Sequence, residues 1–170
     1  MLRLEKITRE SKDTRKIERL YLSAFPQNER TSLEQFWKEK PGKEVYGIYR
    51  EDCFCGFVQM LSYGDITHIL YFAVEEEQRE NGSGSETLML IGRLKPGRRI
   101  IADIEAPGKT ARNYRQRCRR KNFYLRNGYK QTPVKYSWQG EYYEILSWGG
   151  WVNEKEFKEF QEYCHTLEEG

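Results

Sequence analysis

The chain has 170 residues, of which 38% are apolar and 14% aromatic, and its formal net charge is +3. This length and composition predict one folded domain spanning residues 1–170 and argue against a disordered chain. No apolar run approaches the length of a membrane span, and the N-terminus lacks the apolar core of a signal peptide. We therefore expect a cytoplasmic protein with no membrane partner.

The first half of the chain is predicted to contain two helices and four strands. The first helix begins at Ser11 or Asp13, follows one apolar face and ends at Pro26. Thr31 and Glu34 are predicted to form a capping box for the second helix. Strands are expected at residues 2–7, 45–50, 53–63 and 66–74, and the last three predict an antiparallel meander.

The last meander strand leads into a glycine loop and a helix. Between Val74 and a helix that starts at about Ser85 lies the segment Arg79-Glu80-Asn81-Gly82-Ser83-Gly84. The first turn of a helix has unpaired N–H groups and a partial positive charge, and glycines let a ligand approach the backbone. This junction therefore predicts a phosphate site. The P-loop and the dinucleotide fingerprint are both absent, because no lysine follows Gly84 and position 87 is Thr.

The second half is predicted to begin with a strand over residues 99–105. A helix separates this strand from the one ending at Val74, so we expect the two to be parallel neighbours. A crevice opens where parallel strands separate at their carboxyl ends. An aromatic hairpin over residues 129–148 and a final helix capped by Asn153 complete the chain.

A basic segment precedes the hairpin. Residues 109–130 contain nine Lys and Arg and no acid, so the rest of the chain is net acidic. The segment is predicted to be a helix from about Thr110 to Asn127. Such a helix can bind nucleic acid, the phosphates of a cofactor, or only solvent and neighbouring acids.

The four cysteines show no metal-ligand spacing. Two of them lie on one face of a strand, and the other two are far away in helical patterns. We expect free thiols and predict no metal site at Cys53, Cys55, Cys118 and Cys164.

Two motifs resemble those of the GNAT family of N-acetyltransferases. Arg79-x-x-Gly82-x-Gly84, which begins five residues after Val74, resembles the family's acyl-CoA motif Gln/Arg-x-x-Gly-x-Gly/Ala. Tyr124, four residues before the Gly128-Tyr129 pair, resembles the end of a later helix in the family. The resemblance implies the GNAT fold, which is α/β (α+β mixed sheet). That fold has a central, mostly antiparallel twisted sheet of about seven strands, one parallel pair splayed to admit acyl-CoA, and helices on both faces.

The resemblance also implies an activity. It is the transfer of an acetyl group from acetyl-CoA, as co-substrate, to a primary amine of a small molecule or peptide, by direct attack in a ternary complex. Tyr124 matches the position of the family's general acid. Glu105, at the end of a strand bordering the expected crevice, is the first choice for the base and Glu29 the next, with His68 and Asp103 as further candidates.

The expected contacts to acyl-CoA come from the same strand, loop and helix. Backbone N–H groups of residues 79–85 would hold the pyrophosphate, and an N–H near Val74 would face the thioester oxygen. Arg117 stands where the family often has Asn, and Arg120 where it often has Ala, so one or the other would meet a cofactor phosphate. The predicted cofactor-binding residues are Phe72, Ala73, Val74, Arg79, Glu80, Asn81, Gly82, Ser83, Gly84, Ser85 and Arg117.

Two alternative functions stay open at this point. One is a non-catalytic acyl-CoA-binding module, and the other is a nucleic-acid-binding protein that uses the basic helix 109–130. Nucleic acid is disfavoured because the positive charge is confined to that segment and no RRM, KH or helix-turn-helix signature is present. The aromatic hairpin and the final helix offer a surface for a homodimer.

Overall fold

The computed structural model describes residues 1–108 and 112–169, the side chain of residue 169 excepted. These residues form five α-helices, seven strands and two 3₁₀ turns. The helices are α1 (Thr14–Ala24), α2 (Leu33–Trp37), α3 (Ser83–Leu94), α4 (Tyr114–Arg126) and α5 (Glu154–Glu169). The strands are β1 (Leu2–Lys6), β2 (Lys43–Arg50), β3 (Cys53–Tyr63), β4 (Ile66–Val74), β5 (Arg99–Glu105), β6 (Lys130–Trp138) and β7 (Glu141–Trp148). The 3₁₀ turns are Gln27–Glu29 and Glu76–Asn81.

The strands form one mixed sheet in the order β1-β2-β3-β4-β5-β7-β6. β2 is antiparallel to β1 and β3, and β7 is antiparallel to β5 and β6. β4 and β5 form the one parallel pair. The predicted sheet of seven mostly antiparallel strands with one parallel pair is therefore confirmed.

The chain divides into two compact units. The first unit consists of residues 1–61 and 69–94, and the second of residues 62–68 and the described part of 95–170. The expectation of a single domain over residues 1–170 stays a prediction. No helix in the described part of the chain is long and apolar enough to cross a membrane.

The first unit places helices on both faces of its strands. Tyr21 of α1 lies 4.6 Å from Phe36 of α2 and 4.9 Å from Tyr71 of β4, measured between ring centroids. Tyr49 belongs to the same cluster, whereas its neighbour Ile48 packs in a second cluster with Leu90 of α3. Successive side chains of a strand point to opposite faces of the sheet, so α1 and α2 cover one face and α3 covers the other.

The second unit repeats this two-sided arrangement. Lys121 of α4 donates to Glu144 of β7 across 2.9 Å. The adjacent Tyr143 points to the opposite face and stacks on Tyr136 of β6, which stacks in turn on Phe157 of α5. α4 and α5 therefore lie on opposite faces of this part of the sheet.

One of the two predicted side-chain caps is observed and the other is not. The capping box of Thr31 and Glu34 is wrong, because Ser32 is the N-cap of α2 and its hydroxyl accepts from the Gln35 N–H at 3.2 Å. The Thr31 backbone N–H instead donates to the Tyr21 hydroxyl at 2.7 Å. The final helix behaves as expected, since the Asn153 side chain accepts from the Glu156 N–H at 2.9 Å.

Two helix starts also differ. α3 begins at Ser83 rather than at about Ser85, and the expected loop before it contains the 3₁₀ turn Glu76–Asn81. The basic helix is observed over Tyr114–Arg126, and its expected start at about Thr110 lies outside the described residues.

Gly56→Ala is expected to lower the free energy of unfolding by about 2–3 kcal/mol. A Cβ at this position would clash with the Ala73 carbonyl oxygen and lie 2.9 Å from the Val74 Cα. Gly108→Ala is the matched control, because a Cβ there meets nothing within 4 Å. Urea denaturation should find the control within about 0.5 kcal/mol of wild type. Equal stability of the two variants would contradict the close approach of β3 and β4.

Candidate functional site

The N-terminus of α3 presents three backbone donors without helical acceptors. Gly82 has a φ of +72°, in the left-handed region that glycine adopts without strain. The first helical hydrogen bond runs from the Glu86 N–H to the Gly82 carbonyl at 3.1 Å. The N–H groups of Ser83, Gly84 and Ser85 therefore have no acceptor within the helix. Ser83 is fully buried, whereas Gly84 and Ser85 are half-buried, so an anion can reach the N–H groups of the latter two, where the helix dipole also favours it.

An acidic residue in the first turn of α3 is neutralised by an arginine. Arg50 Nη2 lies 3.1 Å from Glu86 Oε1 and 3.4 Å from the Ser83 hydroxyl. The hydrogen bond from Arg50 lowers the pKa of Glu86, although partial burial opposes that shift. Because the carboxylate is paired, its repulsion of an anion bound at the helix N-terminus is reduced.

The end of β4 is held against β3 and against the loop. The Glu75 N–H donates to the Cys55 carbonyl at 2.7 Å, so the backbone groups of Val74 point to the opposite edge of the strand. The Val74 carbonyl accepts from Arg79 Nε at 3.1 Å. Arg79 and Glu80 are both exposed. The predicted residues Phe72, Ala73, Val74 and 79–85 are thus contiguous in the first unit.

Glu29 is also in the first unit, at the end of the 3₁₀ turn between α1 and α2. Its carbonyl oxygen accepts from the hydroxyl of Tyr71 at 2.6 Å. Tyr71 precedes Val74 by three residues on β4, so this hydrogen bond ties the turn to the same strand. The sequence predicted the loop but gave no signal for its contact with Tyr71.

Tyr124 is buried in the second unit, in the last part of α4. Its ring centroid lies 5.2 Å from that of Tyr129, in an edge-to-face arrangement. Burial raises the pKa of Tyr124 to about 12, with nearby Arg120 lowering it and Asp103 raising it. The phenol therefore stays protonated throughout the physiological range, which is the form that a proton donor needs.

Glu105 and Arg117 contact each other in the second unit. Arg117 Nη2 lies 2.6 Å from Glu105 Oε2 and 3.0 Å from Glu141 Oε2. Arg117 Nη1 also donates to the Ala106 carbonyl at 3.2 Å. The sequence analysis predicts separate roles for these two residues, as base and as phosphate ligand. In the structure the Arg117 guanidinium already forms ion pairs with two carboxylates.

A further cluster in the second unit centres on Asp103. Its two carboxylate oxygens lie 3.3 Å from His68 Nε2 and 2.5 Å from the Tyr136 hydroxyl. Burial alone would raise the pKa of Asp103, but His68 and the hydrogen bonds from His68 and Tyr136 hold it below its ordinary value. His68 also packs on Phe160 of α5, with 5.7 Å between ring centroids. The only sequence signal for this cluster is a carboxylate inside an otherwise apolar strand.

Comparisons with known proteins complete this description. No protein-family model matches the chain, and no curated protein is similar enough in sequence to match it. Solved structures do match. A GNAT-family protein from Bacteroides thetaiotaomicron superposes with a TM-score of 0.81 at 22% identity, over 97% of each chain.

This chain has the GNAT fold.

Two further structures with the GNAT fold are complexes with CoA. The aminoglycoside 6'-N-acetyltransferase complexed with coenzyme A has a TM-score of 0.65 at 14% identity, over 85% of this chain and 95% of that one. An acetyltransferase from Bacillus subtilis in complex with CoA has a TM-score of 0.61 at 17% identity, over 87% and 98%. Among the described residues of this chain, no group of three His, Cys, Asp or Glu could hold a metal ion.

Asp103→Asn is expected to destabilise the protein at neutral pH by about 1–3 kcal/mol, because the amide nitrogen cannot accept the Tyr136 proton. The stabilisation from the ionised carboxylate is fully present above the unfolded-state pKa of 3.8 and is lost as pH falls through the lower folded-state pKa. Urea denaturation at pH 7 and pH 3 should therefore show a smaller difference between variant and wild type at pH 3.

The matched control for Asp103→Asn is Asp52→Asn, which changes an exposed carboxylate in the turn between β2 and β3. We expect the control to stay within about 0.5 kcal/mol of wild type at both pH values. An equal loss for Asp103→Asn at pH 7 and pH 3 would contradict the stabilising role of its ionised form.

Proposed function

We propose that this protein is an N-acetyltransferase that uses acetyl-CoA and a primary amine of a small molecule or peptide in a ternary complex. The observation that carries the proposal is the N-terminus of α3, where three unpaired N–H groups follow the left-handed Gly82. The GNAT fold supports it, because other proteins with this fold are complexes with CoA. We place the activity in the cytoplasm on the basis of the sequence.

The residues around Gly82 fit a diphosphate. The N–H groups of Gly84 and Ser85 would donate to its oxygens, buried Ser83 would support them from beneath, and exposed Arg79 would add positive charge. Glu80 is exposed and can turn away into solvent. The Val74 N–H, on the edge of β4 that faces away from β3, would donate to the thioester oxygen. When bound, acetyl-CoA supplies the activated acyl group.

Tyr124 is the proposed proton donor to the departing sulfur. Its phenol is buried and protonated at neutral pH, with a pKa of about 12. A buried donor loses little of its strength to solvent, because competing water is excluded.

The proton acceptor for the amine is proposed among the acidic residues named from the sequence. Glu105 has one oxygen engaged by Arg117 at 2.6 Å, so that oxygen is less available to a substrate. Glu29 is itself half-buried, and it ends an otherwise exposed turn that Tyr71 anchors through the Glu29 carbonyl. We therefore rank Glu29 ahead of Glu105 as the residue to test, which reverses the order suggested by the sequence.

Binding of acetyl-CoA should be saturable and in the micromolar range, and Gly82→Trp should abolish it. A Cβ at Gly82 meets nothing within 4 Å, so the indole would project into the space where a diphosphate must lie. Gly97→Trp is the matched control, because Gly97 also has a left-handed backbone, with a φ of +74°, and open space around it. Titration calorimetry at moderate salt measures both variants.

The control should bind acetyl-CoA as wild type does. The proposed function fails if folded wild-type protein does not bind, or if both tryptophan variants lose binding equally.

Tyr124→Phe tests the proton donor once an amine screen has found an acceptor. We expect kcat to fall about 100-fold, with little change in the affinity for acetyl-CoA, because only the proton is removed. A normal kcat in the variant would show that Tyr124 only packs in the core.

A further inference from the structure

The inner face of α4 packs on its own unit through ion pairs and a buried ring. Arg117 pairs with Glu105 and Glu141, and Lys121 pairs with Glu144. Tyr124, which follows at helical spacing, is buried. These three positions lie four and three residues apart, so they form one face of the helix. The inner face therefore accounts for two of the cations in this basic segment.

The outer face of α4 carries Arg115, Arg119 and Arg126, and exposed Arg120 lies at its border with the inner face. No described carboxylate lies within ion-pairing distance of them, and the described part of the segment contains no acid. Arg115 and Arg119 are four residues apart on the helix, so their like charges repel each other. The exposed basic residues are Arg112, Arg115, Arg119, Arg120, Arg126 and Lys130.

This arrangement disfavours the helix in isolation. Arg115 lies in the first turn, where the helix dipole favours acids rather than bases. Asn113 occupies the N-cap position without a side-chain hydrogen bond to the helix. A solvated face that only keeps a protein soluble normally mixes both signs of charge, which offsets such repulsion. A bound polyanion would reduce both the repulsion among the arginines and the unfavourable interaction of Arg115 with the helix dipole.

We propose that the outer face of α4 binds the phosphate backbone of a nucleic acid. The residues of this surface are not those proposed to bind acyl-CoA. Its proposed partner, a nucleic acid, is not part of the proposed function. The exposed cations within the helix are all arginines, whose planar guanidinium pairs with phosphate through two hydrogen bonds. Arg115 and Arg126 are eleven residues apart, or about 16 Å along the helix axis, which spans several phosphates of a duplex.

An aromatic pair favours nucleic acid over other polyanions. The Arg126 guanidinium lies 5.6 Å from the centroid of the Phe123 ring. Arginine and aromatic planes of this kind stack on bases. A membrane surface fits less well, because a helix that lies in a bilayer needs a broad apolar face. The apolar ring of Tyr124 faces inward, and Leu125 is the one large aliphatic side chain of α4 that is exposed.

The sequence alone disfavoured nucleic acid because the charge is confined to one segment. In the structure, confinement of the charge to one segment no longer argues against phosphate binding. Within the segment the charge is sorted by face, with paired cations inside and arginines without carboxylate partners outside. A single helix face is sufficient for contacts to a phosphate backbone.

Fluorescence anisotropy with a labelled 20-nucleotide RNA, single-stranded and as a duplex, tests the proposal. We expect the full chain to bind at least one form at 50 mM salt with micromolar affinity, and binding should weaken as salt increases. Arg115→Gln with Arg119→Gln should weaken binding by about tenfold and lower the magnitude of the salt slope by about 1 per arginine. Removal of like charges should leave the fold intact, which circular dichroism checks.

The matched control is Lys155→Gln with Lys158→Gln, which removes the same charge from the exposed side of α5. It should bind RNA nearly as wild type does. Saturating CoA should leave RNA binding unchanged, whereas displacement of RNA by CoA would assign the arginines to the cofactor.

Four results would overturn the proposal. They are displacement of RNA by CoA, no RNA binding at 50 mM salt, an equal loss of binding in the control variant, and tighter binding to phosphatidylserine vesicles than to RNA. If the wild-type protein binds acetyl-CoA but not RNA, this proposal fails and the proposed enzyme activity is unaffected.

Discussion

The left-handed backbone at Gly82 is the constraint on which the proposed activity depends. Residues with side chains adopt a φ of +72° only at a cost, and here that conformation separates the 3₁₀ turn Glu76–Asn81 from α3. The hydrogen bond from Glu86 to the Gly82 carbonyl then fixes where the helix begins. Three N–H groups are left without helical acceptors, at the end of a strand that Gly56 allows to approach its neighbour. Backbone geometry thus forms the proposed anion site before any side chain contributes.

Ion pairs determine which charges remain available. Arg50 neutralises Glu86 in the first turn of α3, so that a carboxylate next to the N-terminus does not oppose an anion. Arg117 joins two carboxylates in the second unit, and this occupies one oxygen of a residue that the sequence suggested as a base. Lys121 pairs separately with Glu144, so both inner cations of α4 have carboxylate partners. Its outer arginines are left as the accessible positive charge of that helix.

The parts of the fold that depend on local signals could be predicted from the sequence. β3, β4 and β5 have the predicted bounds, because each is an apolar or alternating run closed by turn residues. The cap of α2 was misassigned because Thr31 and Ser32 are adjacent hydroxyls, and the Tyr21 hydroxyl accepts from the Thr31 N–H. The local sequence pattern does not indicate which distant residues contact each other. The pairing of Arg117 and the joining of His68 and Tyr136 on Asp103 therefore required the structure.

The central claim is that the N-terminus of α3 holds the diphosphate of CoA. A titration of ¹⁵N-labelled protein with CoA, followed by amide chemical shifts, tests it most directly. The account predicts that the amides of Ser83, Gly84 and Ser85 shift most strongly and saturate together, because hydrogen bonds to an anion deshield N–H protons. Saturable binding of CoA that leaves these three amides unmoved would contradict the account.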